Sequence, residues 1–189
     1  MNKFDKRLNE FHECLVETKV TTSNEDFVDL EQSILETTGY LTQLKNNNLY
    51  IIGNGGSAGV ASHAANDFIN MCNIKASTFH DISIMTCLTN DYGYDEAYRI
   101  LIEKFSQPND ILIAISSSGN SENIINASKK FKELYPSNIL ITLSGFSDDN
   151  KLRKIGDQNY WIDSKSYGIV EIGHQFLLHN FSDRICGKV

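Results

Sequence analysis

At 189 residues, 41% hydrophobic and 22% charged, the chain has material for one filled core and is too apolar to stay disordered. A formal net charge of −7 argues against direct gripping of nucleic acid, which neutralises phosphates with clustered Lys and Arg. Cys14, Cys72, Cys87 and Cys186 form no CxxC pair and suit free thiols, while neither a signal-peptide core nor a membrane-span length occurs, so a one-domain cytoplasmic protein with no membrane partner is expected.

Phe4, Leu8, Phe11 and Leu15 recur at helical spacing and predict an opening helix. Ser23, with Asp26 three residues on, suggests the N-cap of a second helix with the stripe Phe27, Leu30, Ile34, Leu41 and Leu44. The two would make a helical hairpin over residues 1–47, ahead of an α/β core over 48–189. Leu49 to Ile52, Asp110 to Ile115 and Asn138 to Leu143 are short continuous apolar runs, as in strands buried on both faces. Gln158 to Ile162 suggests a fourth strand. Helices are expected over Ala58 to Asn70, from the segment after Ser121 through Phe131, and over Gly168 to Cys186; Lys129, Lys130 and Lys132 read as a solvated face. Strands alternating with helices predict a three-layer αβα fold around a mainly parallel sheet.

Two segments carry the functional signal. Gly53-Asn54-Gly55-Gly56-Ser57 follows the first strand, Ser116-Ser117-Ser118-Gly119-Asn120-Ser121 follows the second, and each precedes a helix. Ligands of open parallel sheets bind beyond the carboxyl ends of the strands, and helix N-termini attract anions. Ser57, Ser116, Ser118 and Ser121 are therefore the expected phosphate donors, with Asn54, Gly55 and Gly56 among the substrate-binding residues and Ser117 facing a sugar. Neither loop is a Walker A motif or a GxGxxG fingerprint, which favours a small phosphate ester over a nucleotide.

Those loops, His63, the stretch Asn90-Asp91-Tyr92-Gly93-Tyr94 and the segment Glu171 to His179 resemble, in order and spacing, motifs of the phosphoheptose isomerases of the sugar isomerase (SIS) domain family. The resemblance implies a single SIS domain, a homotetramer with active sites between subunits in which the N-terminal helices take part, and conversion of sedoheptulose 7-phosphate to D-glycero-D-manno-heptose 7-phosphate for bacterial glycans such as lipopolysaccharide or capsule. It also implies one zinc per subunit, at His63, Asp67, Glu171 and His179. His63 and Asp67, four apart, share a helix face; Glu171 and His179, eight apart, stand about 80° apart around their helix and present adjacent faces. On spacing alone His63 and His179 read better as packed structural histidines; the loops and the resemblance together favour the site.

Asp67 and His179 are the expected acid–base pair for enediol chemistry, with Asp91, Ser117 and Glu171 toward the sugar. The chain departs from the family pattern at Asp67 (a Glu in the family), Glu171 (a Gln), Met71 and Ile169 (each an Arg). Those departures leave open an isomerase of another phosphosugar, or a non-catalytic SIS-domain binding protein of the type that associates with the bacterial replication initiator.

Overall fold

A computed structural model describes residues 1–44 and 46–189. Its centre is a seven-stranded sheet in the order β2-β1-β7-β6-β5-β3-β4. Strands β3 (Asn48–Ile52), β4 (Lys75–Ser77), β5 (Ile111–Ser116), β6 (Ile139–Ser144) and β7 (Gln158–Trp161) are parallel. β1 (Lys19–Thr21) and β2 (Phe27–Val28) extend one edge in antiparallel pairing.

Side-chain alternation divides the core in two. Leu49, Ile51, Ile113, Ile115, Ile141 and Leu143 point to one face, where helices α2 (Leu30–Thr42), α3 (Gly56–Asn70) and α7 (Tyr167–Ile185) cover them. Tyr50, Ile52, Leu112, Ala114 and Leu140 point to the other, under α5 (Tyr94–Phe105) and α6 (Glu122–Leu134). Each fully buried Ile or Leu contributes about 1.5–3 kcal/mol over an exposed one. The three layers and mainly parallel sheet are those expected.

The N-terminal segment differs in detail. Helix α1 (Lys3–Val16) forms as its periodicity predicts, with Asn2 capping the Asp5 amide. No helix starts at Ser23, however. β-branched Val20 and Thr21 pair along β7, and the chain turns back through Glu25 at a φ of 62° into β2. Helix α2 begins later, capped by the Asp29 carboxylate on the Gln32 amide at 3.1 Å. Phe27, expected on the helical stripe, is an exposed strand residue. A β-hairpin thus separates the two N-terminal helices, and both pack on α7. Between β4 and α5 lies α4 (Ile82–Tyr92), none of whose residues is buried within the chain. No described helix is long and apolar enough to cross a membrane.

From β3 the chain crosses through α3 outward to β4, whereas from β5 it crosses the other way to β6 and β7. The sheet therefore reverses its winding between β3 and β5, and this opens a crevice at their carboxyl ends. Both glycine- and serine-rich loops emerge there.

Candidate active site

The crevice is a cleft of about 240 Å³ lined by Asn54, Gly55, Gly56, Ser57, Ser116, Ser117, Ser118, Ser121, Tyr167 and Glu171. In the β3 loop, Gly55 takes a φ of 53°, which turns the chain into the first turn of α3. Asn54 is held by reciprocal amide hydrogen bonds with Asn123, each 2.9 Å, and accepts from Tyr94 Oη at 2.7 Å. Tyr98 Oη donates to the Gly53 carbonyl at 2.8 Å, and burial pushes its phenol well above the usual range. In the β5 loop, Ser116 and Ser121 hydroxyls lie 3.0 Å apart, and Ser57 reaches Ser117 across the cleft at 3.4 Å. The cleft is therefore a cup of hydroxyls and free helix-end N–H groups, suited to an anionic ester.

Gly119 closes the β5 loop with a φ of 65° and a 2.9 Å bond from its N–H to the Ser116 carbonyl. A methyl group there would overlap the amide of Asn150, which is fully buried and hydrogen-bonded to Ser144 Oγ and the Ser147 carbonyl. Gly119→Ala is expected to cost about 2–4 kcal/mol of folding stability, read as a lower denaturation midpoint.

Further along, α3 and α7 bring His63, Asp67 and His179 together, with one ligand atom of each within 4.8 Å of the others. Asp67 Oδ2 lies 3.1 Å from His179 Nδ1 and 3.5 Å from His63 Nε2, and the two imidazoles are edge-on with centroids 5.0 Å apart. Gly56 touches Glu171, Asp67 meets His179, and Cys72 meets Cys186. Contacts in that order mean that the two helices run side by side in the same direction.

Glu171 is not part of the three-residue cluster. Its angular relation to His179 is as expected, but eight residues also advance the helix about 12 Å. Its carboxylate instead lies against Gly56, in the cleft. Asp91 is likewise apart: it ends α4, exposed, bonded to Asn90 and near Cys87, and does not line the cleft. The residue of that stretch that reaches the loops is Tyr94, beyond the turn at Gly93. Tyr94, Asn123 and Tyr167 were not singled out by spacing or residue type, although Tyr94 closes the quoted motif and Tyr167 opens the last helix.

Ile169, one of the departures, is buried in the core, whereas Met71 is partly exposed beyond the end of α3. His80 bonds Ser62 Oγ through Nδ1 at 2.9 Å, and burial lowers its pKa. His174 is fully buried, with Nε2 3.1 Å from the Ser144 carbonyl, and burial lowers its pKa to about 4. Its folded pKa lies below the unfolded value of about 6.5, so the unfolded chain binds the proton more tightly. Its contribution is complete above pH about 6.5 and disappears as pH falls through about 4. Denaturation midpoints should decline across that interval, and less steeply in His174→Gln.

The sequence profile of the SIS domain matches residues 20–142. Phosphoheptose isomerase from Helicobacter pylori is 33% identical over 143 residues, spanning 72% of this chain and 73% of that protein. The chain belongs to the phosphoheptose isomerases of the SIS domain family. Solved phosphoheptose isomerases share the fold: that from Francisella tularensis superposes with a TM-score of 0.82 at 22% identity over 100% of both chains. That from Neisseria gonorrhoeae gives 0.81 at 24% identity, over 96% of this chain and 94% of its own.

The donor set of this chain fits a zinc-type ion. Asp67 Oδ2 is buried and has no properly directed hydrogen bond, although two imidazole nitrogens face it. An orphaned buried carboxylate oxygen is costly unless something positive meets it. Two nitrogens and one oxygen leave further coordination positions open, the pattern of a catalytic rather than a structural centre.

Proposed function

We propose that this protein interconverts sedoheptulose 7-phosphate and D-glycero-D-manno-heptose 7-phosphate, in the cytoplasm, on a route to heptose-containing bacterial glycans. The observation that carries this reading is the placement of the anion cup and the His63–Asp67–His179 cluster along the same two parallel helices. From Ser57 to His63 the rise is about 9 Å, and from Glu171 to His179 about 12 Å. Bonds of about 1.5 Å in a staggered chain separate the phosphorus of an extended heptose 7-phosphate from C2 by about 9 Å. A phosphate held by Ser57, Ser116, Ser118 and Ser121 thus presents the carbonyl end of the sugar to the cluster.

His63, Asp67 and His179 would hold a zinc ion, which, when bound, would polarise the ketose carbonyl oxygen and favour the enediolate. The proton work falls to Asp67 and His179. Asp67 Oδ2 faces both imidazoles, which leaves Oδ1 to take the C1 proton. His179 turns Nδ1 to Asp67, which leaves Nε2 to deliver a proton at C2. Ser117 and Glu171 orient hydroxyls, and gripping the remote phosphate fixes the reacting carbons. Asp91 has no place in this single-chain cleft and would act from a neighbouring subunit.

A homotetramer with sites between subunits accords with apolar side chains left uncovered on α1 (Phe4, Leu8), α4 (Ile82, Ile84) and α7 (Ile172, Phe176). One observation favours a second reading, an isomerase of a different phosphosugar: the Glu171 carboxylate stands in an anion cup. The deciding assay incubates zinc-supplemented protein with sedoheptulose 7-phosphate and follows the aldose by NMR. Aldose formation supports the first reading; its absence from metal-loaded protein rejects that substrate, and turnover of another phosphoketose would establish the second.

A further inference from the structure

Where α3 and α7 end, two sulfurs meet. Cys72 and Cys186 lie with Sγ atoms 3.4 Å apart, each in the turn that follows its helix. Both are half-buried. Cys72 also donates weakly to the Ser182 carbonyl at 3.5 Å, an acceptor that keeps the Cys186 amide at 3.1 Å if the thiol is lost. Cys14 bonds the Asp163 carbonyl and Cys87 lies near the Asp91 carboxylate, so neither contacts another sulfur.

We propose that Cys72 and Cys186 form a reversible disulfide, a modification site that ties the ends of α3 and α7 together beside the Asp67–His179 contact. Closing the pair requires the sulfurs to approach from 3.4 Å to about 2.0 Å, a side-chain adjustment at positions beyond the helical hydrogen-bond ladder. The oxidant is a hydroperoxide. The Cys186 thiolate attacks the terminal peroxide oxygen, the O–O bond breaks, and the other oxygen leaves as water or an alcohol after taking a proton. The Cys72 sulfur then attacks the resulting sulfenic sulfur; the S–S bond forms and hydroxide departs with the Cys72 proton as water. Two thiols are oxidised by two electrons and the peroxide is reduced by two. Burial, and then the hydrogen bond with Cys186, raise the pKa of the Cys72 thiol, and its S–H is already held by the Ser182 carbonyl, so the first attack is assigned to Cys186. A dithiol reverses the bond by exchange.

The test treats the full-length protein with hydrogen peroxide, denatures it, and counts thiols with a maleimide. The reduced protein should label at four cysteines and the oxidised protein at two, with one Cys72–Cys186 cross-linked peptide and recovery of four after dithiothreitol. Neither Cys72→Ser nor Cys186→Ser should give the cross-linked peptide at the same peroxide dose; the sulfur left alone stops at a sulfenic acid, so each variant should lose at most one thiol. The oxidised wild type should melt at a higher temperature than the reduced form, a difference missing from both variants, because the bridge restrains the unfolded chain. Four labels after treatment, a cross-link through Cys14 or Cys87, or loss of two thiols in either Ser variant would overturn the assignment.

Discussion

His179→Ala is expected to lower kcat/KM for sedoheptulose 7-phosphate about 1,000-fold or more while leaving the protein folded. The side chain is 40% exposed and bonds no backbone group, so its removal opens no sealed cavity. Its loss deletes the Nε2 donor and also frees the Asp67 carboxylate from one of its two imidazole neighbours. His174 supplies the contrast. Five residues earlier on the same helix it is fully buried against Ser144, so His174→Ala should lose stability first, with turnover per folded molecule largely kept. Melting curves and steady-state kinetics on the two variants separate the roles. Undiminished turnover by folded His179→Ala would remove it from the chemistry.

Asp67→Asn should produce two opposite changes. The substitution keeps shape and removes charge from a side chain only 14% exposed, whose Oδ2 lacks a directed partner. Without metal, the variant should be as stable as the wild type or more stable by about 1 kcal/mol, since a buried uncompensated carboxylate is gone. With metal, cobalt or zinc affinity should fall about 100-fold or more, because a neutral amide oxygen is a poor substitute for a carboxylate. Cobalt absorption titrations measure the second effect and denaturant melts the first. Equal cobalt affinity in variant and wild type would exclude Asp67 as a ligand.

The strands β3, β5, β6 and β7 were legible because burial on both faces forces apolar runs that surface segments lack. Loops rich in Gly and Ser after β3 and β5 mark where the crevice opens. The hairpin β1–β2 was hidden because Ser23 and Asp26 imitate a capping box, and Val20 and Thr21 are too few to declare a strand. Helix α4 is unmarked in the sequence for a different reason. Ile82-Ser83-Ile84-Met85-Thr86-Cys87-Leu88 spreads apolar residues around the helix, and none of them is buried within this chain, so no stripe marks a core-facing side. At the site, spacing gives the rotation between Glu171 and His179 about their helix, whereas rise along it separates them. Of the stretch Asn90 to Tyr94 it is Tyr94 that meets the loops within the chain, since a turn at Gly93 redirects the backbone just after Asp91 and Tyr92.

Among the described residues, none lining the cup at the head of α3 is Lys or Arg, and the chain carries a net charge of −7. Backbone dipoles and hydroxyls attract an anion strongly at contact and hardly at all beyond one helical turn. At low ionic strength, a doubly charged ester approaching from beyond contact meets repulsion rather than a guiding field. Dissolved ions that screen charge over about 8–10 Å would then ease the approach of substrate, the reverse of their effect on enzymes that draw in anions with rings of lysine.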